Sequence, residues 1–333
     1  MGKTKRRLTE IDFLYAVGVF LVIFGHSHSS DWSRASETAY GLLHDFVYSF
    51  HMQLFFSISG FLLMHSDKIK RIGYFRFLAE KALRLFVPYL FISLLAVFPK
   101  TRLETGKWID VNVLMNTLFS PRLGVWGHLW FVPVLFFMFI FFGIIRMLLN
   151  EKNRFWILSA TTILSAAAYF IPCDSQFLGA EDIKKQCLFF SLGMLLYLII
   201  TPAKQAKKPV MFFLPLALAA CGIAAYLLRR QQPQLLFAVT AVCMVLALWA
   251  VAVCVPFSRL CRWLSVHNFT LYLYSWPAQS VVMIACDRFN FSWVLTFIVM
   301  FVTGWLVPLA MIFIYEKIPK IHCRVMDLLL GVK

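Results

Sequence analysis

Ten stretches of this chain are apolar over about the length a helix needs to cross a bilayer, roughly 20 residues. They lie near 11–28, 46–65, 83–99, 129–148, 155–172, 187–202, 210–228, 235–257, 266–286 and 293–315. In hydrocarbon a backbone amide finds no water, so each run has to satisfy its amides within its own segment, and only a helix does that. The expectation is an all-α integral membrane protein, a bundle of about ten transmembrane helices. The sixth run is the shortest, and the ninth carries Asn268, Ser275 and Pro277. There is no internal repeat, no low-complexity tract and no appended soluble domain, so residues 1–333 read as one polytopic membrane domain.

Charge sets the expected orientation. The formal net charge is +16, although only 14% of residues are charged. A basic balance can signal nucleic acid, but here the cations sit in short runs between apolar stretches, and no nucleic-acid partner is expected. Starting from a cytoplasmic first segment, the inner segments hold 22 of the 32 Lys and Arg residues and the outer ones 10. That asymmetry places both termini in the cytoplasm. The basic Lys3–Arg7 stretch before the apolar Phe13–Phe24 run also fits a secretory signal, which would end in small residues of the A-x-A kind. His-Ser-His-Ser-Ser-Asp offers none, and the segment reads as an uncleaved first span.

The eight cysteines form no Cys-x-x-Cys pair and no Cys/His spacing suited to zinc, so no metal is expected. Cys221, Cys243 and Cys254 lie within apolar runs and read as small core residues. Cys173 and Cys187 bracket one outer loop, where a disulfide and two free thiols are both open readings.

Polar groups inside apolar runs mark candidate sites, because ionisable side chains are costly in a bilayer. The first run, Asp12 to His28, carries Tyr15 and ends on Gly25 and His26. His26 is either functional or a histidine bonded to a neighbouring helix. His51 is a second imidazole, expected at a similar depth in the outer part of the membrane. Ser59-Gly60 permits close helix approach. Lys81 and Arg84 enter the third run after Lys68, Lys70, Arg71 and Arg76, a cluster suited to anionic lipid headgroups or to a phosphorylated cofactor. Trp126 to Pro133, including Trp130, would pass as an interfacial aromatic belt.

Taken together these pieces resemble acyltransferase family 3 of the membrane-bound O-acyltransferases. Asp12, Tyr15 and His26 fall on that family's Asp-x-x-(Arg/Lys) and the histidine eleven residues on. Phe50 to Phe61 is similar to its Phe-His-x-Pro-Leu-Phe-Phe-x-Ile-Ser-Gly-Phe, with Gln53 for proline. Lys81-x-x-Arg84-x-x-x-Pro88, Leu129-Trp130-Phe131 and Leu271 to Pro277 match three further motifs, the last with Ser275 for histidine. Tyr15 stands where the family has a basic residue.

The resemblance implies a multi-pass protein of a bacterial plasma membrane that transfers an acyl group, acetyl by expectation, from acyl-coenzyme A. The implied acceptor is a hydroxyl of a cell-surface or lipid-linked glycan. A histidine has the unperturbed pKa for taking that hydroxyl's proton, and His26 is assigned the role. His51 would orient the acceptor or steady the oxyanion. Lys81 and Arg84 would hold the donor's phosphates. Tyr15, Ser59 and Trp130 complete the expected binding residues. Arg76, Lys81 or Arg84 would supply the charge that Tyr15 lacks. Intramembrane histidines and a basic mouth also suit a transporter or flippase of organic acids or lipid-linked sugars, and a silent relative is the third reading.

Overall fold

The computed structural model describes residues 8–28, 38–106, 108, 110–206, 213–229, 232–254, 256, 258–318 and 322–331. These residues are helical, with no strand among them. In chain order the helices are α1 (Thr9–Gly25), α2 (Ala39–Tyr48), α3 (His51–His65), α4 (Lys68–Ile72) and α5 (Tyr74–Thr105). They continue with α6 (Val111–Phe119), α7 (Phe131–Leu148), α8 (Arg154–Tyr169), α9 (Ala180–Ala206) and α10 (Leu214–Leu228). The last five are α11 (Pro233–Cys254), α12 (Arg259–Val266), α13 (Asn268–Arg288), α14 (Trp293–Lys317) and α15 (Arg324–Leu330).

Among the described residues each expected apolar run overlaps a helix, but six spans have both the length and the hydropathy to cross a membrane. They are Ala39–His65, Tyr74–Pro99, Gly127–Leu148, Phe177–Thr201, Pro233–Cys254 and Trp293–Lys317. Of the rest, α10, α8 and α1 are 15, 16 and 17 residues long. The 21-residue α13 is diluted by polar side chains such as Thr270, Ser275 and Gln279. Two boundaries differ from the sequence reading. The second span begins at Ala39, not 46, and breaks at Ser49-Phe50 into α2 and α3. The third helix begins at Tyr74, so Lys81 and Arg84 stand in its second and third turns and not at its entrance.

The described residues form two compact units. The first holds residues up to Ile58 and Ile200–Ile312. At its centre α1 packs against α2, α11, α12 and α13. These neighbours cover several sides of α1, in keeping with its lack of a polar face, and Phe20 remains exposed on it. Leu14, Val19 and Ile23 have no exposed surface. Trp249 of α11, the largest fully buried side chain, donates its indole N–H to Ser57 Oγ at 3.0 Å. Helices α10 and α11 pack together along their length.

The second unit holds Ser59–Ile199 and Phe313–Lys333. There α5 packs against α7, and α15 lies against α5. Tyr315 donates to the Asp327 carboxylate, which holds α15 to the end of α14. Large apolar side chains stand exposed on α5, at Leu94 and Leu95, and at Phe313 near the end of α14. Such surfaces suit lipid contact. Cys173 and Cys187 are free thiols, and so are Cys221, Cys243 and Cys254.

Candidate functional site

The histidine site is built where α1 stops. The helix ends at Gly25, and His26 caps it with φ −89° and ψ 0°, its N–H still bonded to Val22 O. A Cβ on Gly25 would lie 2.6 Å from the Tyr48 ring, so the glycine is what lets that ring lie on the backbone beside His26. From there the Tyr48 hydroxyl sits 3.2 Å from His26 Nδ1.

Three side chains fix the turn that follows. Ser27 Oγ donates to Ile23 O at 2.7 Å. Tyr40, in the first turn of α2, donates its hydroxyl to Ser27 O at 2.8 Å. Gln279 of α13 donates its Nε2 hydrogens to Ile23 O at 3.0 Å and to Ser27 Oγ at 2.9 Å. Gln279 is fully buried, and a Cβ on Gly304 would come within 2.8 Å of its carboxamide. Space left by Gly304 therefore admits the side chain that clamps the end of α1.

Tyr48 is the hub of the ring cluster. It stacks on His44 with centroids 4.2 Å apart, lies 4.8 Å from His51 and 6.0 Å from His26. His28 meets His44 edge-on at 5.4 Å, and the Trp276 indole lies 4.9 Å from the His26 ring. His51 begins α3 just past the break. Its Nδ1 is 3.0 Å from Val47 O, a carbonyl at the break that also accepts from Phe50 N at 3.2 Å. That bond requires a hydrogen on Nδ1, which leaves Nε2 of a neutral His51 as an acceptor. For His26 there are two arrangements. When Nδ1–H donates to the Tyr48 oxygen, Nε2 carries the lone pair and can take a proton. When Tyr48 donates instead, Nε2 carries the hydrogen and can only give one.

The structure thus brings His26 and His51 together through Tyr48. Tyr15 stands apart, eleven residues down α1 from His26 and so about 16 Å along the axis, with its ring 6.1 Å from Phe55. The other expected residues belong to the second unit. The Lys81 ammonium lies over the Phe139 ring at 4.0 Å from its centroid. Arg76 and Lys68 both face Glu80, Arg76 at 3.9 Å. Arg84 is exposed. Trp130 is buried beneath the Arg122 guanidinium, 4.2 Å from its centroid. Arg122 in turn makes two 2.6 Å bonds to Asp182. Ser59 is buried beside Gly60, where an added Cβ would meet Phe190 O at 2.0 Å. Close helix packing accounts for that pair.

Tyr48, His44 and Trp276 were not singled out from sequence. A signal for the first two was present: 44, 48 and 51 recur at helical spacings of four and three. No group of three metal-ligating side chains occurs among the described residues.

A family described as an acyltransferase domain matches residues 8–313 of the chain. The chain is also similar to the nodulation protein NolL of Mesorhizobium japonicum, 32% identical over 168 residues. That stretch is 50% of this chain and 42% of NolL, so under half of the relative's length is matched. No solved structure matches the chain.

Proposed function

The chain belongs to the acyltransferase 3 family, and on that premise we propose that it moves an acetyl group from acetyl-coenzyme A to a hydroxyl of a cell-surface or lipid-linked glycan. The observation that carries this reading is the His26–Tyr48 pair at the end of α1. A general base needs a partner that orients its ring, and Tyr48 is that partner. With Nδ1–H donated to Tyr48, Nε2 takes the proton of the acceptor hydroxyl as its oxygen attacks the thioester carbonyl carbon. The tetrahedral oxyanion collapses, the C–S bond breaks, and the imidazolium returns the proton to the departing thiolate. The products are the glycan ester and free coenzyme A.

The Nδ1–H of His51 is committed to Val47 O, which supports orienting the acceptor hydroxyl over steadying the oxyanion. Arg84, which is exposed, and Lys81, whose ammonium lies over the Phe139 ring, would bind the donor's phosphates. Tyr15, Ser59 and Trp130 complete the proposed binding residues, with close helix packing a further role of Ser59. The protein works as one domain over residues 1–333, in a bacterial plasma membrane, with ten crossings and both termini in the cytoplasm.

The test uses membranes with and without the protein, given acetyl-coenzyme A and cell-envelope glycan. Thiol release that depends on both protein and acceptor is the expected result. Acetyl ester on the glycan without thiol release would show another donor, and no ester at all would remove the reading.

A further inference from the structure

A cavity of about 250 Å³ opens in the second unit, walled by Ser66, Lys70, Gly73, Tyr74, Arg146 and Met147 among others. The span ending at His65, the span beginning at Tyr74 and the span ending at Leu148 all have an end there. The cavity therefore lies at one surface of the membrane, where hydrocarbon gives way to headgroups. Gly73 shapes its mouth: the residue turns the chain with φ +82° and ψ +158°, a region open only to glycine, and a Cβ there would meet nothing within 4 Å.

The wall is mostly apolar, and the charged side chains on it, Lys70 and Arg146, are hydrogen-bond donors. The Arg146 side chain is only 11% exposed, and its buried Nε has no acceptor among the described residues. One terminal guanidinium nitrogen stands 3.8 Å from Asp67 Oδ1, an ion-pair distance beyond hydrogen bonding. Lys70 adds an exposed ammonium. Ser66 Oγ accepts from Lys68 N at 3.1 Å and keeps its hydroxyl hydrogen to donate. Tyr74 commits its hydroxyl to Ile140 O at 2.7 Å and presents its ring. Buried polar groups are rarely left unpaired, and a guanidinium N–H beside an ammonium calls for an anion with several oxygens. The Tyr74 ring and Met147 continue the wall as apolar surface.

We propose that this cavity binds a phosphate group carried on a long flexible chain, with Arg146 as its anchor and Lys70 at its rim. A membrane phospholipid and an acyl-nucleotide both offer that chemistry, and the experiment separates them. The full chain is purified in a neutral detergent. Phosphatidylglycerol binding is read by native mass spectrometry, and acetyl-coenzyme A binding by equilibrium dialysis. Lys70→Gln, which alters an exposed side chain and spares the fold, and Arg146→Gln should each weaken one probe about tenfold, as losing a charged hydrogen bond does. Arg146→Lys should recover part of the loss. Arg154→Gln, an equal charge change in an exposed pair with Glu151, should alter binding less than twofold. Selective loss of phosphatidylglycerol assigns the cavity to lipid, and selective loss of acetyl-coenzyme A assigns it to the nucleotide. The proposal is overturned if neither probe binds the wild type, if both bind Lys70→Gln and Arg146→Gln unchanged, or if Arg154→Gln loses as much. Binding is read without turnover, so the outcome is independent of the transferase reading.

Discussion

At the scale of residues, the proposed chemistry turns on which nitrogen of His26 carries its hydrogen. His26→Ala removes the base and should lower acetyl transfer by about 10²–10⁴-fold, with the protein reaching the membrane in near-normal amount. Retention of more than a tenth of the activity would pass the role to His51. Tyr48→Phe is the finer test. It keeps the ring that stacks on His44 and deletes only the oxygen facing Nδ1. The imidazole then loses its orienting partner while donor and acceptor contacts stay, so kcat should fall roughly tenfold or more with KM nearly constant. A rise in KM with kcat unchanged would make Tyr48 a substrate contact instead. The two histidines were legible because an imidazole in an apolar run is conspicuous. Tyr48 was legible only as a ring at helical spacing from His44 and His51, since tyrosine is common near membrane surfaces, and its contact with His26 at the end of α1 is one that this spacing does not encode. Tyr15 was legible as a departure from the family's pattern, yet its environment was not: the ring packs on Phe55, a residue 40 positions away.

At the scale of elements, α13 matters for what it does to the end of α1. Gln279 holds both Ile23 O and Ser27 Oγ, the last-turn carbonyl and the residue after His26. Gln279→Leu would strip both bonds from a fully buried position, at a cost of about 1–3 kcal/mol for the groups left unpaired. Gly304→Ala would press a methyl group to within 2.8 Å of the same carboxamide. Both variants should lower the melting midpoint of the purified protein and reduce transfer, and the two changes combined should be less than additive. Full additivity would mean that Gly304 and Gln279 act on different parts of the structure. Apolar run length made the helical segments legible, since hydrocarbon demands it of every crossing segment. The break at Ser49-Phe50 was not legible, because Ser49 closes it locally by donating to Phe46 O at 2.6 Å and His51 bridges it to Val47 O. Nor were the short α12 and α15, which are only 8 and 7 residues long and lie between or beyond the apolar windows.

At the scale of the whole molecule, orientation decides which solution each site meets. The 22-to-10 partition of Lys and Arg predicts that a reporter fused after residue 33 reads extracytoplasmic, and that fusions after residues 152 and 208 read cytoplasmic. Alkaline phosphatase and green fluorescent protein fusions at the same three positions give opposite signals and check one another. The segment around residue 152 follows the span that ends beside Arg146, so this pattern opens the cation-walled cavity to the cytoplasmic side. Acyl-coenzyme A and the inner leaflet's anionic lipids are both available there. The same pattern sends the chain outward after His26, at the opposite end of α1 from the buried Glu10 and Asp12. Under the proposed function, the acceptor hydroxyl would then reach the imidazole from the outer side and a cytosolic acyl donor would have to reach it from within. The reverse pattern would turn the cavity toward a solution without acyl-coenzyme A. It would remove the nucleotide as an occupant and require the transferase to draw its acyl group from another donor.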